Sequence, residues 1–177
     1  MLNIRPSRLE DFIGQERVRS VLKILCRSAK AKNTAVSHIL LSGGPGLGKT
    51  TLARIVANEM GGRMVETIGG NLQTPEQLSG LLRSLKPLDV LFIDEIHAMP
   101  RSVEEILYPA MEDGMVPVVK SDASDFMKAL GVQAKPATEM VALPHFTLLG
   151  ASTMSGLVSA PLRSRFAHEL TLEPYSL

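Results

Sequence analysis

Eight consecutive residues, Gly43-Gly44-Pro45-Gly46-Leu47-Gly48-Lys49-Thr50, constrain this chain more than any other feature. They match the pattern GxxxxGK[ST], which works only between a strand and a helix. The glycines let the loop curl tightly, so main-chain N–H groups point inward at phosphate oxygens. A helix beginning near Gly48 adds the positive end of its dipole to the same place. Lys49 then reaches the β and γ phosphates, the Thr50 hydroxyl is a ligand for Mg²⁺, and Thr51 completes the binding set. The pattern therefore predicts an α/β chain that binds a nucleoside triphosphate with magnesium.

The flanking sequence supplies the required context. Short apolar runs alternate with helical spacing, the signature of a parallel sheet between helices. Strands are expected over 37–42, 63–68, 89–94, 146–153 and, more weakly, 168–172, which makes five. Helices are expected over 15–32, 48–60, 75–85 and 101–111. Thr74, Pro75 and Gln77 form a capping-box pattern at the third helix, and Ser102 with Glu105 suggests another at the fourth. The segment 114–144 breaks this rhythm and reads as a hairpin-like excursion, with strands near 116–119 and 140–143. A short helix over 124–131 lies between them, its Phe126, Met127 and Leu130 either offered to a partner or folded back on the domain.

Two further strand ends carry chemistry. Val90-Leu91-Phe92-Ile93 runs into Asp94-Glu95, so a buried strand delivers two carboxylates to the carboxyl edge of the sheet. Asp94 is suited to hold Mg²⁺ through its water shell, and Glu95 to polarise an attacking water. His97 follows, with a structural role at a helix start as its expected reading. The fourth strand ends at Ser152-Thr153, where Thr153 can contact the γ-phosphate or the water. Arg163 and Arg165 come next, and an arginine at a subunit edge can stabilise transition-state charge in a neighbour's site.

Composition narrows the setting. The 177 residues are 45% hydrophobic and 21% charged, which is globular and not disordered. No apolar run approaches the roughly 18 residues of a membrane span, and Arg5, Arg8, Glu10 and Asp11 interrupt any apolar leader. With Cys26 as the single cysteine, a cytoplasmic location without membrane contact is expected. The net charge of +1 is unevenly spread. Residues 1–60 carry ten Lys/Arg against four Asp/Glu, and residues 61–120 five against nine. Arg19, Lys23, Arg27 and Lys30 line one face of the first helix, either as a phosphate-binding stripe or as a solvated face.

Together, the phosphate loop, Phe92-Ile93-Asp94-Glu95-Ile96-His97, Pro161-Leu162-Arg163-Ser164-Arg165-Phe166 and the run from Val103 to Asp113 resemble the RuvB family. The opening Arg5-Pro6 with Asp11-Phe12-Ile13-Gly14-Gln15-Glu16 is similar too. The likeness covers about residues 4–175. It implies an AAA+ P-loop ATPase that forms hexameric rings and drives branch migration of Holliday junctions with the junction-binding protein RuvA. It also implies that Arg5, Pro6, Phe12 and Ile13 pack around adenine, that Lys49 and Thr50 serve phosphate and Mg²⁺, and that Asp94 and Glu95 form the acidic motif. Thr153 takes the sensor position, and Arg165 the finger that enters the adjacent subunit.

The resemblance divides the chain into an adenine-side segment with the basic helix (1–36) and the P-loop core (37–177). It leaves the family's helical lid and winged-helix domain outside these residues. The excursion is longer than, and unlike, the hairpin with which the family contacts RuvA. Gly43-Gly44-Pro45 replaces a usual Gly-Pro-Pro, and Ser152-Thr153-Met154 a usual Thr-Thr-Arg. An ATP-hydrolysing motor for DNA recombination and repair is the leading expectation, weakly active as an isolated chain. Other AAA+ roles (clamp loading or protein remodelling), a small P-loop phosphotransferase and a passive nucleotide-binding subunit are the alternatives.

Overall fold

Strands β1 (Ile39–Ser42), β3 (Val90–Asp94) and β6 (Thr147–Ser152) are buried along almost their whole length. Near-continuous apolar runs of this kind are stable only inside a parallel sheet covered on both faces. In the computed structural model, which describes residues 6–119 and 138–174, they occupy the middle of such a sheet. With β2 (Met64–Ile68) and β7 (His168–Thr171) at its edges, the order is β2-β3-β6-β1-β7, and all pairings are parallel. The five expected strands are therefore present, with ends shifted by one or two residues.

Alternation along each strand feeds two cores. Phe92 and Leu149 point to one face, where α1 (Glu16–Lys32) and α2 (Lys49–Met60) contribute Leu22, Leu52 and Val56. Leu91, Ile93 and Leu148 point to the other, against Leu78 and Leu82 of α3 (Pro75–Arg83) and Val103 and Leu107 of α4 (Arg101–Glu112). Cys26 is buried in the first core and free.

The helix starts differ instructively from expectation. Thr74 and Gln77 form the anticipated capping box on α3. Ser102 and Glu105 do not cap α4, because the helix begins at Arg101, two residues before a Ser102 cap would start it, after Pro100 and with no side-chain cap. Both lie inside its first turns, and Glu105 pairs with Arg101 at 3.5 Å. Gln15 stands outside α1, in the left-handed region at φ 51°. On α1, Lys23 pairs with Glu10, Lys30 with Glu59, and the Arg19 Nε donates to the Leu9 carbonyl. Three of the four cations in the basic stripe are thus already engaged, which favours a solvated protein face over a phosphate track.

The excursion forms an antiparallel pair, β4 (Met115–Val119) with β5 (Thr138–Ala142), close to the expected strands. Arg5 and the helix expected over 124–131 lie outside the described residues. Among the described residues, no helix is long and apolar enough to cross a membrane.

Candidate functional site

The loop from Gly43 to Gly48 joins the carboxyl end of β1 to α2. Gly43 extends the β1–β6 ladder by donating its N–H to the Ser152 carbonyl at 3.2 Å. Two of its glycines are dictated by their surroundings. A Cβ on Gly43 (φ 147°) would stand 2.8 Å from the Leu172 carbonyl oxygen, and one on Gly48 (φ 99°) 2.6 Å from the Phe12 ring. Phe12 is therefore buried behind the loop, while the neighbouring Ile13 is 85% exposed. The family likeness implies that both residues pack around adenine; here they differ in exposure, with Phe12 buried and Ile13 on the surface.

Helix α2 starts after Gly48 with no side-chain cap, so its first N–H groups are available to an anion. Lys49 is almost fully buried, and its ammonium donates to the carbonyls of Gly43 and Gly44 at 2.7 and 2.8 Å. The cation is thus held by the loop's own carbonyls while Lys49 lines the cleft beside the start of α2.

Across that space stand the ends of β3 and β6. Asp94 Oδ1 accepts the Glu95 N–H at 3.0 Å, and Glu95 itself sits in the left-handed region at φ 46°. A non-glycine residue at positive φ stores strain, which the fold tolerates mostly at working positions. The Glu95 carboxylate accepts the Thr153 N–H at 3.2 Å and the single Thr153 hydroxyl proton, whose oxygen lies 2.8 and 3.0 Å from the two carboxylate oxygens. His97 Nδ1 lies 2.8 Å from the Ser152 hydroxyl and 3.3 Å from Glu95 Oε2. His97 is thus more than a helix-start residue, because it touches the carboxylate.

Pro45, Gly46, Gly48, Lys49, Thr50, Thr51, Asp94, Glu95 and Thr153 line one cleft of about 530 Å³. Gly43 and Gly44 meet it through Lys49, whereas Leu47 packs toward the core. Arg54 and Glu66, an ion pair at 3.5 Å, also line it and were missed. Helical spacing from Thr50 to Arg54 was the available signal. Pro6 and Arg165 do not line the cleft, and Arg5 lies outside the described residues. Arg163 and Arg165 follow β6 on and after the one-turn helix Ala160–Arg163, where Arg163 faces Glu169 at 3.8 Å.

The donor set suits a triphosphate and a hard cation: uncapped N–H groups, an ammonium, a hydroxyl and a carboxylate around one cleft.

Comparison with known proteins gives concordant results. Residues 4–172 match the family described as the Holliday junction DNA helicase RuvB P-loop domain. A curated relative, the Holliday junction branch migration complex subunit RuvB of Chlorobium luteolum, is 49% identical over 163 residues, which is 92% of this chain and 44% of that protein. The solved structure of the Thermotoga maritima RuvB Holliday junction branch migration motor is 41% identical with a TM-score of 0.79, covering 98% of this chain and 50% of that one. A mutant of the same Thermotoga protein superposes with a TM-score of 0.82 at 40% identity and the same coverage. The chain spans about half the length of the relatives it matches.

Proposed function

The chain belongs to the RuvB P-loop domain family, and from that premise we propose that it is the ATP-hydrolysing motor portion of a Holliday junction branch-migration helicase. The observation that carries this reading is the convergence of α2's uncapped start and Lys49 with Asp94, Glu95 and Thr153 on one cleft.

The geometry supports a role for each residue in this reading. The loop N–H groups and the start of α2 receive the phosphates of ATP. Lys49 exchanges the carbonyls of Gly43 and Gly44 for β and γ oxygens, so the ammonium changes partners without leaving the loop. Thr50 and Asp94 are the residues that would hold Mg²⁺, which would supply neutralising charge for the phosphates when bound. Glu95 orients and polarises the attacking water, and Thr153, hydrogen-bonded to it, fixes its carboxylate and faces the γ-phosphate. The exposed Ile13 is the described side chain best suited to the adenine side.

Residues 1–177 form one large nucleotide-binding subdomain in this reading. It works as a ring, with six copies by family likeness, on branched DNA in recombination and repair, in the cytoplasm and alongside a RuvA-type partner. Arg165 enters the adjacent copy's site.

Equilibrium binding of a fluorescent ATP analogue and release of phosphate to water test the core of the reading. Lys49→Ala is expected to weaken binding by at least about 10-fold, in line with loss of a charge-assisted phosphate contact. Glu95→Gln is expected to retain binding and lose about 10²–10⁴ in turnover. Unchanged turnover in Glu95→Gln would remove Glu95 from the reaction, and saturable binding with no phosphate released by the wild-type chain would return it to the class of passive binders. Phosphate transfer to a metabolite with none released to water would make it a phosphotransferase.

A further inference from the structure

Helix α4 carries Glu104, Tyr108 and Glu112 at intervals of four residues, so the three share one face. Each is engaged with the segment that holds Arg165. The Glu104 carboxylate is almost fully buried, accepting the Tyr108 hydroxyl at 2.6 Å and a second bond from the Ser159 hydroxyl. Ser159 in turn caps the one-turn helix, accepting the Leu162 N–H at 3.2 Å. The Arg165 guanidinium lies over the Tyr108 ring, 4.1 Å from its centroid. Its Nε is 3.1 Å from a Glu112 carboxylate oxygen, and its Nη1 donates to the Pro161 carbonyl at 2.7 Å.

We propose that Tyr108 and Glu112 are positioning residues for Arg165, holding its guanidinium in one orientation from a rail along α4 that Glu104 anchors. An unrestrained arginine spreads over many rotamers, and a stacked, ion-paired one is pre-organised. Burial first, then the Glu104 carboxylate, pushes the Tyr108 phenol up from its ordinary range, so its hydroxyl remains a donor to that anchor. Glu104 and Tyr108 together keep the ring from turning, and the ring keeps the guanidinium flat against it. The inference rests on the reading of Arg165 as a residue that acts on the nucleotide of an adjacent copy. It gives a task to a part of α4 that lines no wall of the cleft.

The test uses the full chain at protein concentrations where its ATP turnover per copy no longer rises, with Arg165→Ala as reference. Arg165→Ala is expected to lose about 10³-fold in kcat. Tyr108→Leu is expected to lose about 10-fold in kcat, and Tyr108→Phe, which keeps the ring, no more than about 3-fold. The KM for ATP and binding of a fluorescent ATP analogue stay at wild-type values in all three. Mixing Tyr108→Leu with Lys49→Ala, whose arginine is intact but whose site is dead, restores turnover to the Tyr108→Leu copies. A merely structural defect would not be complemented in this way. If Tyr108→Leu fails to fold, Glu112→Gln, altered at a half-exposed carboxylate, is read instead and is expected to lose about 3-fold. Wild-type kcat in Tyr108→Leu (or in Glu112→Gln when it stands in), a raised kcat in Glu112→Gln, or absence of complementation overturns the positioning role. Wild-type kcat in Arg165→Ala overturns instead the reading of Arg165 on which it rests.

Discussion

His38 shows how a single residue sets a pH limit on the fold. Its Nδ1 accepts the Leu148 N–H at 2.8 Å, and its ring packs on Phe146 with centroids 5.4 Å apart. Burial pushes the imidazole down to about 4 against an ordinary 6.5, only partly opposed by a hydrogen bond to the Met111 main chain. The native state therefore holds His38 neutral where the unfolded chain would protonate it. The unfolded state binds more protons between these two values, so stability is lost as pH falls from 6.5 to 4 and levels off below. That depression corresponds to about 3 kcal/mol across the window. Urea unfolding at steps from pH 7.5 to 4 is expected to show this decline, and His38→Gln to flatten it. An unchanged slope in His38→Gln would assign the decline to other groups.

At the scale of elements, the two helix starts on the far face separate sequence signals that act from signals that only look alike. Thr74 accepts the Gln77 N–H at 3.3 Å, and Gln77 Oε1 accepts the Thr74 N–H at 3.1 Å. Ser102 has the same spacing to Glu105, yet α4 has already begun at Arg101. Thr74→Ala is expected to lower stability by about 1 kcal/mol, whereas Ser102→Ala changes it by less than about 0.5 kcal/mol. Chemical denaturation of the two variants side by side checks the contrast, and equal costs would restore Ser102 as a cap. The decisive difference is Pro100, which fixes where the chain can enter a helix. The central strands were legible because their apolar runs have no other stable use than a covered parallel sheet. Strand ends were less so, since register and not composition decides where pairing stops.

The whole molecule separates chemistry from stability along the strand direction. At the carboxyl edge, the meeting of the loop with Asp94, Glu95 and Thr153 at one cleft was legible because the motif pattern fixes which strand ends carry them. Phe12, buried behind Gly48, and the contact of His97 with Glu95 were not, because they depend on which segments meet in space. At the opposite edge, Asp89 precedes β3 and is buried, with 2% of its surface exposed. Its carboxylate accepts the N–H groups of Arg63 and Lys86, each at 2.9 Å, and the Arg63 guanidinium at 2.6 Å. Burial alone would raise its pKa, but the Arg63 side chain and the two N–H groups outweigh it and hold the carboxyl below its ordinary range. Asp89→Ala strips acceptors from two main-chain donors and is expected to cost about 2–3 kcal/mol in urea unfolding. Because the substitution lies at the far end of β3 from Asp94, binding of a fluorescent ATP analogue under native conditions should keep its wild-type Kd. A Kd that rose with the lost stability would mean that the two edges of the sheet are coupled through β3 and not divided by it.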